Sequence, residues 1–431
     1  MRVVIEGSAQ EADAVAHLLV AEGHDVRIAD LDADAGEADI AYLDVWTPAV
    51  APRVAALRAR GARVTTSSEL VMERAALAGA RTVGVTGTAG KSTASSFLVQ
   101  LLGSADVSVL AAEDGRLGHR WVTASVVDGL ARLSPGDLVV VELTSSHLAF
   151  MASSPDVAVV TCFWPDHVEL HGSLAAYRAA KEAIVRGQAP TGAVVVNIDD
   201  PGAASFVELT PARRFAFSAE REVEAGAFVR AGAVVLRRDG EETVMGDAPA
   251  EPTVRQALLA AGAAVAAAGV PLAALEGAVA GLTTPPHRRQ ALGRIGGVLV
   301  VDDGMAATPA KARAALSGFV DSSVVLIAGG RDHTEGGPAH ASADERFLLD
   351  AACDEAARVV RLAVLFGPAS AILERELGRR GVATQVVHGL DEAFELSITA
   401  APGAAAIVFS PFYPVSVEQR ERFAARARSI V

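Results

Sequence analysis

The chain has 431 residues, beyond the size at which a single hydrophobic core stops growing, so two or three domains are expected. A formal net charge of −14 argues against nucleic acid or an anionic membrane as a partner, and 51% apolar with 21% charged residues reads as globular. Two cysteines, Cys162 and Cys353, make no disulfide framework, which points to a reducing, cytoplasmic setting.

No signal peptide is expected, because the chain starts directly in a strand. Residues 1–78 then alternate: Val3 to Ile5, Glu11 to Glu22, Asp25 to Ile28, Ile40 to Asp44, Val50 to Arg60, Arg63 to Val64. That alternation predicts an N-terminal Rossmann-like domain, a parallel sheet with covering helices and its ligand off the carboxyl ends of the strands. The first turn, Glu6-Gly7-Ser8-Ala9-Gln10-Glu11, holds one glycine and two acids, so the dinucleotide fingerprint G-x-G-x-x-G is absent. Asp30 ends the second strand, where a ribose hydroxyl or a plain turn would each explain it.

Residues 79–283 read as a central P-loop domain with a mostly parallel sheet. Thr82 to Val85 runs into Gly87-Thr88-Ala89-Gly90-Lys91-Ser92-Thr93, and a helical pattern follows through Phe97, Leu98, Leu101 and Leu102. Strand, glycine turn and helix is the layout in which backbone N–H groups cradle phosphate, with Lys91 reaching the terminal phosphates and Ser92 holding Mg²⁺. Val85 stands where the full P-loop has its first glycine, leaving the shorter G-x-x-G-K-S form. Lysine usage strengthens the reading. Only Lys91, Lys181 and Lys311 occur against 35 arginines, so lysine persists where a compact or titratable amine is wanted.

Leu138 to Val141 ends in Glu142, placed either to hold Mg²⁺ or to be an ordinary strand-end acid. Val157 to Thr161 leads into Asp166, His167, Glu169 and His171, and the helix Leu174 to Val185 carries Lys181. Further on come a strand, Val194 to Asn197, and a hairpin over Arg230 to Arg237. Ala257 to Leu282, interrupted by glycines, Pro271 and Glu276, reads as two alanine-rich core helices around a turn and not as a membrane span.

Pro285-Pro286 before His287-Arg288 makes a hinge, and residues 284–431 read as a C-terminal Rossmann-like domain. Strands are expected at Val298 to Asp302, Ser323 to Ala328, Arg361 to Phe366, Thr384 to Val387 and Ala404 to Phe409. Helices fall at Thr308 to Phe319, Phe347 to Arg358, Leu373 to Leu377, Leu390 to Ile398 and Val417 to Ile430. Asp302-Asp303 and Gly329-Gly330-Arg331-Asp332 end the first two strands, where an open sheet binds its ligand.

The order GTAGKST, ELTSS, DH before YRAAK, VVNIDD, PPHR, VDDG, AGG and FSP resembles the Mur ligase family over the whole chain, nearest its glutamate-adding branch. The resemblance implies three α/β domains: 1–78 for a carrier substrate, 79–283 for ATP, and 284–431 for closing on nucleotide and amino acid. It implies an ATP- and Mg²⁺-dependent ligase, cytoplasmic and monomeric, that activates a carboxylate as an acyl phosphate. An amino acid, glutamate or a relative, would then be coupled onto a UDP-muramoyl-alanine carrier in peptidoglycan synthesis.

On that likeness Gly87, Thr88, Ala89, Gly90, Lys91, Ser92 and Thr93 bind the phosphates, and Ser92 and Glu142 share a first Mg²⁺. His167 and a carbamylated Lys181 serve a second, so that Lys91, Glu142, His167 and Lys181 form the catalytic set. Gln256 stands at an adenine-binding position, Arg288 contacts ATP, and Asp303 its ribose. Asp44-Val45-Trp46-Thr47-Pro48, Ala112 to Gly118, Cys162, Gly304-Met305 and Ser410 to Ser416 depart from the family's loops. Two alternatives stay open: a ligase with a non-UDP carrier or another amino acid, and a nucleotide-binding relative without turnover.

Overall fold

The computed structural model describes residues 1–6, 9–29, 37–44, 47–111, 124–249, 251–317, 319–331 and 343–430. Gly7-Ser8, Asp30, Val45-Trp46, Ala112 to Gly118 and Asp332 lie outside them, as do the side chains of Gln10, Glu11 and Glu169.

Three sheets carry the chain, and the expected α/β class holds. The first, β1 (Arg2–Ile5), β2 (Asp25–Ile28), β3 (Ile40–Tyr42) and β4 (Arg63–Thr65), is parallel throughout in the order 2-1-3-4. The second comprises β5 (Arg81–Thr86), β6 (Val109–Leu110), β7 (Leu138–Glu142), β8 (Val157–Val160), β9 (Ala193–Asn197), β10 (Arg213–Ser218), β11 (Gly226–Arg230), β12 (Ala233–Arg238) and β13 (Glu241–Asp247). Its order is 13-12-11-10-9-8-5-7-6, parallel except where β12 pairs antiparallel with both of its neighbours. Every residue of β7, β8 and β9 is buried, as a sheet covered on both faces demands of its valine-rich strands.

The third sheet, β14 (Gln290–Ile295), β15 (Val298–Asp302), β16 (Val324–Gly329), β17 (Val360–Phe366), β18 (Thr384–Val387) and β19 (Ala406–Phe412), runs 14-15-19-16-17-18. Only the β14–β15 pair is antiparallel.

One expectation holds and one is corrected. The hairpin expected over Arg230 to Arg237 is present as the antiparallel β11–β12 pair, and β13 extends it to a three-stranded meander. Its turns are Ala231-Gly232 and Asp239-Gly240, both pairs at positive φ, as two-residue hairpin turns require. Ala257 to Leu282 contains one α-helix, Pro252–Ala267, and then two 3₁₀ turns, Leu272–Leu275 and Ala278–Gly281. Pro271 and Gly277, the latter at φ 70°, leave no stretch long enough for a second α-helix.

The fold divides into two compact units, residues 1–250 with 255–283, and 251–254 with 284–431. Within the first, the four-stranded and nine-stranded sheets share one core, in which Val3, Ile5 and Leu70 join Val139 and Val141. A carboxylate ties them as well. Glu69, buried on the helix Ser67–Ala78, accepts from Ala152 N at 3.1 Å, Ser153 N at 3.2 Å and Ser153 Oγ at 2.8 Å. Glu69→Ala strands those donors and should cost about 2–3 kcal/mol, read as a lower urea midpoint. An unchanged midpoint would show that the tie carries no stability.

Candidate active site

β5 ends at Thr86, and the chain turns through Gly87 to Gly90 into the helix Lys91–Ser104. The turn needs its glycines. A Cβ at Gly87, which sits at φ +150°, would come 1.9 Å from Thr161 Oγ1 on the neighbouring strand end. Gly90 caps the helix in the left-handed region, and no side chain caps the first turn. Its first-turn N–H groups therefore have no side-chain cap, the arrangement that attracts phosphate. Cys162 braces the loop from below, its Sγ accepting from Ala89 N at 3.2 Å and donating to Ala89 O at 3.4 Å. Burial raises the thiol's pKa, so it packs as a thiol and not as a nucleophile. Thr88 Oγ1 donates to Trp164 O at 2.9 Å and meets Tyr177 Oη at 3.0 Å.

Two amines converge on this turn. Lys91 Nζ donates to Gly87 O at 2.8 Å and to Thr88 O at 3.3 Å. Lys181 Nζ, from the helix Leu174–Arg186, donates to the same Gly87 O at 3.0 Å and to Thr86 Oγ1 at 3.3 Å. Lys181 is 1% exposed. Burial first, and then Lys91, push its pKa well below the ordinary lysine value, while Cys162, Asp166 and Glu142 act the other way. Its amine is thus biased toward the neutral form.

The structure gathers Glu142 and Asp166 near Lys181, both buried at the carboxyl ends of parallel strands or just beyond them. His167 follows at φ 49°, a strained backbone for a non-glycine residue, with Nε2 3.6 Å from Asp166 Oδ2. His171 instead turns inward and packs edge-on against Tyr177. Ser92 Oγ is buried and finds no hydrogen-bond partner among the described residues, as a ligand-bound hydroxyl would in its ligand's absence. Among the described residues no three His, Cys, Asp or Glu side chains cluster to hold a metal by themselves. A lone hydroxyl and a strand-end carboxylate still suit Mg²⁺, which takes few protein ligands and completes its shell with phosphate and water.

Gln256 is placed in the first unit, its Nε2 donating to Asp199 Oδ2 at 3.1 Å while its buried Oε1 has no hydrogen-bond partner among the described residues. The first sheet offers a different picture. At the end of β1, Glu6 forms an ion pair with Arg53 at 2.9 Å and accepts from Thr47 Oγ1 and from Asp44 N at 3.4 Å. The chain's own carboxylate thus fills donors that stand at a ligand-binding edge.

In the second unit Arg288 follows His287, whose backbone sits at φ 58°. His287 Nδ1 lies 2.7 Å from Asp302 Oδ2 and Nε2 3.3 Å from Glu421 Oε1. Burial, the largest single influence, opposes protonation here, but the hydrogen bonds and charges of Asp302 and Glu421 together exceed it and raise the imidazole pKa. Asp303 accepts from Arg289 N and Ser410 Oγ, each at 3.2 Å, and burial pushes its carboxyl up to about 7. A cavity of about 430 Å³ opens at the carboxyl ends of β16 and β17, lined by Gly330, Arg331, Phe366, Ser416, Gln419 and Arg422. The Gly329-Gly330 turn marked this edge in the sequence. Arg422, mid-helix and without a motif, gave no such signal.

A phosphate loop with two lysines and a strand-end acid, followed by a separate α/β unit, has the parts of a nucleotide-using enzyme. The family described as Mur ligase middle domain matches residues 85–250. UDP-N-acetylmuramoylalanine--D-glutamate ligase of Symbiobacterium thermophilum is 31% identical over 383 residues, covering 86% of this chain and 79% of that protein. The ligase of the same name from Frankia casuarinae is 28% identical over 99% of this chain and 87% of its own. Among solved structures, UDP-N-acetylmuramate-alanine ligase MurC of Thermotoga maritima shares the fold with a TM-score of 0.59 at 19% identity, over 100% of this chain and 99% of that one. MurF ligase of the same organism, in complex with ADP, matches with a TM-score of 0.59 at 16% identity, over 100% and 95%. The chain belongs to the Mur ligase family.

The shifted groups of the second unit set a pH dependence. Asp303 binds its proton more tightly folded than unfolded, so its contribution is full below about pH 4 and is lost as pH rises to about 7. His287 likewise stabilises below its unfolded value and ceases to as pH climbs through its raised folded pKa. Both slopes run downward with pH. Asp303→Asn should flatten the fall in urea midpoint between pH 4 and 7 while leaving the fall above pH 6.5. His147, whose pKa burial lowers to about 3, adds an opposite slope over the same range, so the comparison is variant against wild type: an unchanged profile in Asp303→Asn would contradict the assignment.

Proposed function

We propose that the chain couples glutamate, or a close relative of it, to the carboxyl group of a muramoyl-alanine carrier, using ATP and Mg²⁺. The observation that carries this reading is the meeting of Lys91 and Lys181 at Gly87 O, below an uncapped helix N-terminus and within reach of Glu142. A carboxylate attacking a terminal phosphoryl group meets like charge, so cations must neutralise both partners as bonds form and break. Lys91 supplies one, hinged to the loop through its carbonyls. Arg288 supplies another from the second unit, and Asp303 takes the ribose. Bound Mg²⁺, held by Ser92, Glu142 and His167, would spread the remaining charge over the phosphoryl oxygens.

Lys181 has a different task. Its neutral amine is the form that adds to carbon dioxide: the N–C bond forms as one C=O π bond opens, the released proton passes to water, and an amine that would repel Lys91 when protonated becomes an anionic carbamate beside it. That exchange turns a repulsion between two amines into an attraction and adds an oxygen ligand for metal. With a strongly acidic chain and substrates of small size, no nucleic acid is required, and the enzyme works as a cytoplasmic monomer.

A second reading of the carrier has its own observation. Glu6 occupies Thr47 Oγ1, Asp44 N and Arg53 at the end of β1, which favours a carrier without a diphosphate at that edge. One screen separates the two: purified protein, ATP, Mg²⁺, a panel of amino acids, and UDP-muramoyl-alanine against carriers lacking UDP, read by phosphate release and product mass. We expect phosphate release to depend on both a carrier and an acidic amino acid. Nucleotide binding with no stimulation by any pair would remove the ligase reading. Lys181→Ala should lose turnover by orders of magnitude, keep ATP affinity within about twofold, and recover in part with added small carboxylates. Full activity in that variant would remove the carbamate.

A further inference from the structure

In the second unit the helix Val417–Ile430 turns one arginine inward. Arg420 is 6% exposed, and arginines so deeply buried ordinarily have a carboxylate partner. Among the described residues it makes no ion pair. Its Nη1 donates to Val415 O at 3.3 Å, and its Nε donates to nothing. Asp302, one of two acids acting on it, is already taken: its Oδ2 lies 2.7 Å from His287 Nδ1 and its Oδ1 accepts from Gly304 N at 3.0 Å. Glu421, the other acid acting on Arg420, points to His287 Nε2.

Room for the arginine is made on purpose by a missing side chain. Gly304 follows Asp302-Asp303 at the end of β15, and a Cβ there would lie 2.9 Å from Arg420 Cγ, 3.2 Å from its Cδ and 3.0 Å from the Phe409 ring. Glycine at 304 and arginine at 420 are thus a fitted pair at the carboxyl edge of the sheet. Arg288 is the further charge felt there, so two guanidinium groups face the same region. A buried, half-satisfied cation costs stability unless something compensates it.

We propose that Arg420 is an oxyanion-binding residue of the ligase site, its Nε–H and guanidinium edge held in wait for a substrate oxygen. This rests on the ligase reading above. The oxyanion is a phosphate of the nucleotide or a carboxylate of the incoming amino acid, which present the same flat array of acceptors to a guanidinium.

The test uses the full chain, Arg420→Met and Arg420→Lys, with calorimetric binding of AMP-PNP with Mg²⁺, of D-glutamate and of inorganic phosphate. Arg420→Met should weaken binding of phosphate and of one of the other two probes by tenfold or more, leaving the remaining probe within twofold. AMP-PNP as the affected probe assigns the nucleotide, and D-glutamate assigns the amino acid. Arg420→Lys should recover part of the loss. Because the methionine removes an uncompensated buried charge at similar volume, the ligand-free variant should unfold at a higher urea concentration than wild type, opposite to the loss of a structural prop. A lower midpoint, or affinities for all three probes within twofold of wild type, overturns the proposal, and so does a wild-type chain that binds none of them. Absent turnover in the substrate screen with the Arg420 effect intact would fail the ligase reading alone.

Discussion

Two lysine amines donate to one carbonyl oxygen, that of Gly87, and much of the site follows from that constraint. Two ammonium groups cannot both be charged at such separation in a buried place without a large penalty, so one must give up its charge or acquire a partner. Burial decides which. Lys181 is enclosed by the helix Leu174–Arg186 and the ends of β5 and β8, while Lys91 stands at the mouth of the loop. The fold therefore leaves the two amines in different settings, one part-buried at the loop and one fully enclosed and biased toward the neutral form. The same enclosure explains why lysine and not arginine stands at position 181 in a chain otherwise dominated by arginine, since a guanidinium could not shed its proton.

The loop that supplies the shared carbonyl is held from several sides. Gly87 and Gly90 permit the turn, Thr161 and Cys162 press on it from the next strand, and Thr88 is tied to Trp164 and Tyr177. Catalysis by charge neutralisation requires such rigidity, because donors that must reorganise during the reaction forfeit their advantage. Cysteine at 162 fits that role. It bridges the N–H and the carbonyl of Ala89 with a soft, buried atom, and its raised pKa keeps it from competing as a nucleophile.

The second unit repeats the theme with the opposite sign. Asp302, Asp303 and Glu421 surround His287, Arg288, Arg289 and Arg420 at the end of β15, with Arg289 paired to Glu251. Positive φ at His287 and Arg289 shows that the segment after the double proline is held in a costly conformation, and the His287–Asp302 contact is what retains it. Strain kept by a buried ion pair is a means of presenting Arg288 in a fixed direction. At the end of β1 in the first sheet, Glu6 satisfies Arg53 and Thr47 from within the chain itself.

The α/β class and the strand–glycine turn–helix of the phosphate loop were legible in the sequence because each depends on local pattern, apolar runs and glycine spacing, whereas the roles of His167 and Lys181 were implied only by the order of motifs along the chain. Where local pattern was ambiguous the reading slipped. Alanine-rich sequence after Pro271 suits helix or tight turn equally, and only packing and Gly277 made it 3₁₀. The hairpin over Arg230 to Arg237 was readable, but that β13 pairs along the far edge of β12 appeared only in the assembled sheet. Tertiary structure alone decided what no spacing encodes: that residues 87, 91 and 181 meet at one oxygen, that Glu6 occupies its own crevice, and that a glycine at 304 admits an arginine from position 420. Those are contacts between distant segments, fixed by how sheets and helices stack, and a side chain's protonation or partner is a property of that enclosure and not of its neighbours in the chain.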